Sequence, residues 1–361
     1  MRTTPPHTGR RVTRTLLSLA LALPAAVAAI AAAPAAAQAA AAPAAAAKYV
    51  GGVAVGGLQP WNPRRAADYQ AMRKANVTWL RTDLGWQWIE PRKDRFDWKA
   101  FDPVVADAKR SGLRYLAILH AVPGWANNNA GDYALPANRS HMANYCYRTA
   151  QHYIPLGVTD YEIGNEVNLP HPGWTKPSAA QYTKYYLLPC VQGLRKATAE
   201  LGKSVNIMLG GLAPTDWTGG ANPVTFLTDV YRNGGKGTFN SLSWHPYTGA
   251  DHPRTARQMN SDPDRLYAVM TAHGDGAKKI WATEYGQATG GPNSISETAQ
   301  AALVGQSVDA WYAKKYAGPL FWYSGRDTGT STSDREQHFG LLRYNGTAKP
   351  AYAAVTARMR R

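Results

Sequence analysis

The sequence predicts an α/β fold, a closed (β/α)8 or TIM barrel that forms a single domain. Eight short apolar runs recur along the chain, and longer amphipathic segments separate them, as parallel strands alternate with helices in such a barrel. Residues 48–361, 314 residues in all, suit eight strand–helix units. A hydrophobic content of 45% permits a large core, and a charged content of 18% is too low for general disorder.

The strand and helix candidates follow from this periodicity. The strand candidates are residues 50–55, 77–81, 113–120, 158–163, 205–210, 241–245, 279–284 and 319–323. The helix candidates include residues 63–75, 98–111, 141–153, 179–201, 224–233, 298–315 and 352–359. An open doubly wound sheet is the alternative arrangement. The glycines at 51–52 and 56–57 do not form a G-x-G-x-x-G turn after the first strand, so no dinucleotide site is indicated.

The first 47 residues are expected to lie outside the barrel. Residues 1–39 are predicted to be a secretory signal peptide, because four arginines precede an apolar run at 16–33 and an A-x-A site at 37–39. Residues 40–47 are predicted to be an Ala-rich leader, and residues 48–361 the barrel domain. A membrane anchor is the alternative for the apolar run, and the choice between Sec and twin-arginine export stays open. We therefore expect a secreted, extracellular protein without membrane contact after signal cleavage.

The chain is basic, with a formal net charge of +16. Removing the four signal-peptide arginines leaves about +12, which favours attraction to anionic surfaces or polysaccharides. No cluster of Lys and Arg stands out, so we interpret the charge as spread over a large domain. No recognised nucleic-acid-binding motif is present, so nucleic acid is not expected as a partner. We expect the protein to be a monomer.

The chain has two cysteines, Cys146 and Cys190. Both lie in predicted neighbouring helices, and in an oxidising compartment they are expected to form a disulfide. Two buried thiols are the alternative. A zinc site is disfavoured because no histidine cluster accompanies them.

Polar residues that suit catalysis crowd at the carboxyl ends of the predicted strands, where barrels place their chemistry. These residues are Arg81, His120, Asn165, Glu166, His245, Tyr247, Glu284 and Trp322. Carboxylates are rarely buried unless they are paired or functional. Glu166 follows the fourth strand and Glu284 ends the seventh, so the two can face one another across the barrel mouth. Two facing carboxylates are what cleavage of a glycosidic bond requires.

The neighbouring residues then acquire roles. Arg81 and Tyr247 are expected to keep Glu284 ionised and oriented, because a cation or a hydrogen bond favours the charged form. His245 is expected to contact Glu166 and to help it alternate between acid and base. Asn165 is expected to bind the sugar 2-hydroxyl group, and His120 to contact the substrate.

This set resembles the active site of the clan A glycoside hydrolases. Asn165-Glu166 and Glu284 are typical of the clan, and the ordered set is similar to that of family 5, the cellulase-type enzymes. Other stretches are closer to family 39 and its bacterial exopolysaccharide-hydrolase relatives. They are WQWIEP at 86–91, FDW at 96–98, FGLL at 339–342 and KPAY at 349–352. The resemblance spans residues 48–361 and leaves open which of the two families applies.

The resemblance implies a retaining enzyme in which Glu166 is the acid/base and Glu284 the nucleophile. It implies a carbohydrate substrate, no metal and no cofactor. The pKa of Glu166 is expected to be raised, as it is for acid partners in such pairs. The alternative is a non-catalytic barrel that binds cell-surface glycan, and the intact pair of carboxylates with Arg81 and Tyr247 argues against it.

The sequence departs from the family pattern beside the acid/base. Clan members often have an aromatic residue before Asn-Glu and a proline after it, and here those positions are Gly164 and Val167. This change is expected to reshape the cleft wall and leaves the sugar, the linkage and endo or exo action open. Trp322 is expected to stack on the sugar. Glu162, four residues before Glu166, is expected to make a structural ion pair.

Overall fold

The barrel closes in simple sequence order. The computed structural model describes residues 49–56, 59–215, 219–247 and 261–359. Within them, eight parallel strands pair in chain order, and β1 pairs with β8 to close the barrel. The predicted (β/α)8 fold is confirmed. The predicted signal peptide (1–39) and Ala-rich leader (40–47) lie outside the described residues.

Each strand lies at one of the eight predicted positions. The strands are β1 Gly52–Ala54, β2 Trp79–Gly85, β3 Arg114–His120, β4 Asp160–Ile163, β5 Asn206–Leu212, β6 Ser241–Trp244, β7 Lys279–Tyr285 and β8 Ala317–Tyr323. β3, β5 and β8 are nearly continuous apolar runs, as expected for parallel strands that are covered on both faces. Several ends differ by a few residues: β2 continues to Gly85 and β5 to Leu212.

Helices follow the strands on the outside of the barrel. The α-helices are α1 Arg65–Lys74, α2 Trp86–Ile89, α3 Asp102–Arg110, α4 Gly124–Asn127, α5 Arg139–Tyr153, α6 Ala179–Tyr182, α7 Leu188–Leu201, α8 Pro223–Val230, α9 Ser261–Ala272, α10 Glu297–Tyr312 and α11 Pro350–Arg358. The candidate at 179–201 is divided by a π-helical turn, Thr183–Leu187, and a second π-helical turn, Tyr231–Gly235, follows α8. The short helices α2 and α4 and the longer α9 lie outside the helix candidates named from the sequence. None of the helices in the described ranges is long and apolar enough to cross a membrane.

The core has two layers, one inside the barrel and one between the strands and the helices. Inside the barrel, one apolar layer consists of Ala54, Trp79, Leu116, Met208 and Phe321. The larger cluster lies between strands and helices. Because successive strand residues point to opposite faces, the side chain two positions beyond an inward residue also points inward, nearer the mouth. Trp79 is thus followed by Arg81, and Phe321 by Tyr323.

The two cysteines form a disulfide that joins α5 to α7. Cys146 and Cys190 are both fully buried, and their Cα atoms lie 5.2 Å apart. The predicted bridge is therefore confirmed. It connects residues 44 positions apart, so it restricts the unfolded chain considerably.

We expect the double substitution Cys146→Ala/Cys190→Ala to lower the free energy of unfolding by about 4 kcal/mol, the loop-closure contribution for a loop of this length. Denaturant unfolding followed by circular dichroism measures this. Reduced wild-type protein is the matched control, because it lacks the bond but keeps both sulfur atoms. Equal stability of oxidised and reduced wild-type protein would show that the bridge contributes nothing.

Candidate active site

A buried arginine lies at the centre of the barrel mouth. Arg81 is 2% exposed, and its Nε and Nη2 donate to the two oxygens of Glu162 at 2.7 and 3.0 Å. Nη1 donates to Glu284 Oε2 at 2.9 Å, and Nη2 donates to Asn165 Oδ1 at 2.8 Å. Burial disfavours the charged guanidinium, but the Glu162 and Glu284 carboxylates outweigh it and raise the Arg81 pKa. Arg81 is therefore a fixed cation that orients two carboxylates and one amide.

Glu162 has the structural role that was predicted for it. Its side chain is fully buried on β4, and it forms a two-point ion pair with Arg81. Ser243 Oγ donates a further hydrogen bond to Glu162 Oε1 at 2.7 Å. A buried carboxylate with this many partners is satisfied, so Glu162 holds Arg81 in place rather than facing the open cleft.

Glu284 is held from two sides at the end of β7. A shift in the β7–β8 register between Ala282 and Tyr285 marks an irregularity around Glu284, the kind of local bend that re-aims a side chain. Arg81 contacts one carboxylate oxygen, and Tyr247 OH donates to the other at 3.0 Å. Burial and the nearby Glu284 charge raise the Tyr247 pKa well above its usual value, so this phenol remains a donor. Glu284 is partly open, with 17% of its side chain exposed.

A tight turn after β4 presents Glu166. Gly164 has φ +93° and Glu166 has φ +47°, so both are in the left-handed region. A Cβ atom at position 164 would lie 2.6 Å from Val167 Cγ1, so a larger side chain there would require both backbone strain and a shift of Val167. Gly164 thus permits the tight turn that orients Glu166 toward the mouth.

His245 connects Glu166 to the arginine. His245 Nδ1 lies 3.0 Å from Glu166 Oε1, and its Nε2 lies 3.2 Å from Arg81 Nη2. An ionised carboxylate can only accept a hydrogen bond, so the contact with Glu166 places a proton on His245 Nδ1. Nδ1–H then donates to the Glu166 carboxylate.

The Glu166 pKa is lowered in the structure, whereas a rise was expected from the sequence. Burial does raise it, but the hydrogen bond and charge of His245, together with the charges of His171 and Arg81, outweigh burial and lower the pKa overall. The expectation was wrong because it considered burial and neglected the donors that face the carboxylate.

His120 lines the mouth beside these groups. Its Nε2 contacts Asp83 Oδ1 at 3.1 Å. Burial lowers the His120 pKa, but the charge and hydrogen bond of Asp83 outweigh it and leave the pKa raised. Nδ1 is buried and has no hydrogen-bond partner among the described residues. Asp83 therefore orients His120, and Nδ1 remains as a group that a ligand could satisfy.

Trp322 does not lie where the prediction placed it. It is 2% exposed and belongs to the layer between strands and helices, with its ring 5.6 Å from that of Tyr285. Phe321 lies in the inner layer, and Tyr323 packs against that layer, so Trp322 points away from the mouth. The predicted sugar stacking by Trp322 is therefore wrong. Tyr323 is the β8 residue whose side chain points toward the mouth. Burial and, second to it, the Glu284 charge raise the Tyr323 pKa.

Two further residues that the sequence did not single out form a wall of the mouth. The rings of Tyr133 and His171 stack at 3.9 Å, and His171 Nε2 lies 3.3 Å from the Glu166 backbone oxygen. They belong to the loops after β3 and β4, for which no motif exists. Within the described ranges, no group of three His, Cys, Asp or Glu side chains is placed to hold a metal ion.

Comparison with known proteins agrees with the predicted resemblance to clan A. A family model described as "Beta-galactosidase" (Glyco_hydro_42) matches residues 59–155, just over a quarter of the chain. A family 39 glycoside hydrolase from the gut symbiont Bacteroides cellulosilyticus WH2 has a similar structure, with a TM-score of 0.65 and 22% identity over 85% of this chain. This chain spans 63% of that protein, less than two thirds of its length. No curated protein matches the sequence.

Other solved structures that are similar to this chain belong to the same clan. The GH5_18 protein from Streptomyces cattleya, solved in complex with GlcNAc, has a TM-score of 0.64 and 15% identity, covering 86% of this chain and 79% of its own. The family 1 β-glucosidase from Thermotoga maritima has a TM-score of 0.59 and 14% identity, covering 87% of this chain and 98% of its own. All of these families belong to clan A, so the predicted resemblance is confirmed. At such identities the structural likeness shows the fold.

We expect His245→Ala to raise the Glu166 pKa, because the substitution removes the donor that stabilises the ionised form. NMR titration of the protein with ¹³C-labelled glutamate carboxyls, assigned with Glu166→Gln, measures this pKa. His152→Ala, which changes a histidine on α5 that is bonded to Asp102, is the matched control. A Glu166 pKa that stays constant or falls in His245→Ala would contradict the assigned hydrogen bond.

Proposed function

We propose that this protein is a secreted, retaining β-glycosidase that hydrolyses O-glycosidic bonds of a polysaccharide or oligosaccharide by double displacement. The observation that carries the proposal is that the two carboxylates at the mouth have different partners. Glu284 accepts hydrogen bonds from Arg81 and Tyr247, which suits an ionised nucleophile. Glu166 accepts a hydrogen bond from His245, which suits a group that exchanges a proton during the reaction.

In the first step, an oxygen of Glu284 bonds to the anomeric carbon while the bond from that carbon to the leaving oxygen breaks. Glu166 transfers its proton to the leaving oxygen, and the sugar remains as an ester of Glu284. Glu166 must be protonated for this step. Since its pKa is lowered, kcat/KM is expected to favour acidic pH and to fall as the pH rises through that pKa.

In the second step, Glu166 acts in its ionised form. It removes a proton from a water molecule whose oxygen attacks the anomeric carbon, and the ester bond to Glu284 breaks. The released sugar has the original anomeric configuration, and both carboxyl groups return to their starting states. The hydrogen bond from His245 favours the ionised Glu166 that this step needs.

Secretion and β-specificity rest on other observations. The N-terminal 39 residues have the features of a cleavable signal peptide, and a disulfide such as Cys146–Cys190 is typical of proteins in oxidising compartments. The matched family model is described as β-galactosidase, and two structural neighbours are a β-glucosidase and a GH5_18 protein bound to Manβ1-4GlcNAc. These names support a β-linked substrate and leave its sugar undefined.

We expect Glu284→Gln to reduce hydrolysis by on the order of 10⁴-fold or more, because the amide cannot attack the anomeric carbon. Glu166→Ala should lose hydrolysis of unactivated glycosides but retain the first step on aryl glycosides with good leaving groups, which need no proton. A panel of β-linked glycans and aryl β-glycosides measures both effects.

Glu200→Gln is the matched control, because Glu200 lies on α7 with 44% of its side chain exposed. Its activity should equal that of the wild type. Circular dichroism verifies that every variant is folded. Substantial hydrolysis by folded Glu284→Gln would rule out Glu284 as the nucleophile, and binding without any turnover by the wild type would favour a glycan-binding barrel.

A further inference from the structure

A groove lies at the carboxyl ends of β1 and β8, at the same end of the barrel as the two carboxylates. Its volume is about 350 Å³, within the ~300–1,000 Å³ that is typical of small-molecule sites. The loops after these two strands form its walls, which include Val55, Gln59, Trp61, Arg64, Tyr323 and Tyr344. The groove is therefore large enough to hold sugar units.

Exposed aromatic rings are concentrated at this groove. Trp61 is 53% exposed and Tyr344 is 41% exposed, and the third large exposed apolar residue of the described ranges, Leu156 at 39%, lies at the opposite end of the barrel, before β4. Exposed rings in a groove are a feature of ligand sites, and sugars present C–H faces that pack on such rings. The opposite end of the barrel has no such pair among the described residues.

Both rings are supported in place. The Trp61 ring makes an edge contact with Trp88 at 5.3 Å, and the Arg64 guanidinium lies over the Tyr344 ring at 4.7 Å. Arg64 Nη1 also donates to the Tyr344 backbone oxygen at 3.0 Å. Rings that are already positioned lose little conformational freedom when a ligand binds.

Polar side chains that line the groove are also held by hydrogen bonds. Arg326 Nε donates to Asp68 Oδ1 at 2.7 Å, and Tyr69 OH donates to Gln59 Oε1 at 3.1 Å. These side chains have defined positions before any ligand arrives. The site is thus preformed rather than assembled on binding.

The position of the groove indicates which part of a substrate it would hold. In the closed ring of eight strands, β8 lies opposite β4, and Glu166 follows β4. Glu166 protonates the leaving group in the proposed mechanism, so the leaving group lies on the β4 side. Tyr323 lines the groove, and the Glu284 charge contributes to its raised pKa. The groove is therefore on the side of the nucleophile.

We infer that this groove binds sugar units on the non-reducing side of the bond that is cleaved, with Trp61 and Tyr344 as stacking surfaces. The inference rests on the proposed function and extends it: the protein cuts within a chain and does not remove single terminal sugars. The substrate class is therefore a β-linked glycan with at least two sugars on the non-reducing side of the cleaved bond.

The test uses ladders of β-linked gluco-, manno- and galacto-oligosaccharides of two to six units, labelled at the reducing end, together with the corresponding aryl monoglycosides. Wild-type protein should release fragments of two or more sugars from the non-reducing end. Trp61→Ala and Tyr344→Ala should each lower kcat/KM about tenfold on the longer oligosaccharides. The loss on an aryl monoglycoside should be clearly smaller, because that substrate does not reach the groove.

Leu156→Ala is the matched control, since it removes an exposed apolar side chain at the far end of the barrel. Its kinetics should equal those of the wild type on every substrate. Release of one sugar at a time from the non-reducing end, or an equal loss on short and long substrates in Trp61→Ala, would overturn the inference alone. Failure of the folded wild type to cleave these probes and every member of the panel of β-linked glycans and aryl β-glycosides would contradict the proposed function, and the inference with it.

Discussion

The arrangement of the mouth depends on one buried cation, the guanidinium of Arg81. It binds Glu162 at two points and also donates to Glu284 and Asn165. A buried charge is tolerated only when its partners compensate for lost hydration, and loss of one partner of such a pair costs about 3–5 kcal/mol. Glu162 supplies that compensation from inside the barrel, which leaves the remaining N–H groups of Arg81 to position groups that face the cleft.

The same cation makes the two catalytic candidates different from one another. Arg81 contacts Glu284 directly, so that carboxylate has a fixed cation beside it. Glu166 is reached through His245, whose Nδ1 contacts Glu166 and whose Nε2 lies 3.2 Å from Arg81 Nη2. A direct ion pair with Arg81 stabilises a carboxylate charge at Glu284, whereas Glu166 has a hydrogen bond from His245 and no direct contact with the arginine. Two identical side chains thereby acquire the separate roles that double displacement requires.

The sequence predicted the eight strands and the carboxylates at their ends because both depend on local pattern: apolar runs, and polar residues where those runs stop. It did not distinguish Trp322 from Tyr323. A strand covered on both faces is apolar throughout, so no alternation in sequence reveals which residue points inward. The sequence also did not predict the direction of the Glu166 pKa shift, because that direction depends on His245, which is 79 residues away in sequence. Tyr133 and His171 lie on loops whose paths no motif specifies.

The central claim is that Glu284 forms a covalent bond with the sugar. Incubation with 2-deoxy-2-fluoro aryl β-glycosides, which slow the second step more than the first, followed by proteolysis and mass spectrometry, tests it most directly. We expect the mass of one fluorosugar on the peptide that contains Glu284, and no adduct in Glu284→Gln. An adduct on a different residue, or turnover of the reagent without any adduct, would contradict the assignment of Glu284 as the nucleophile.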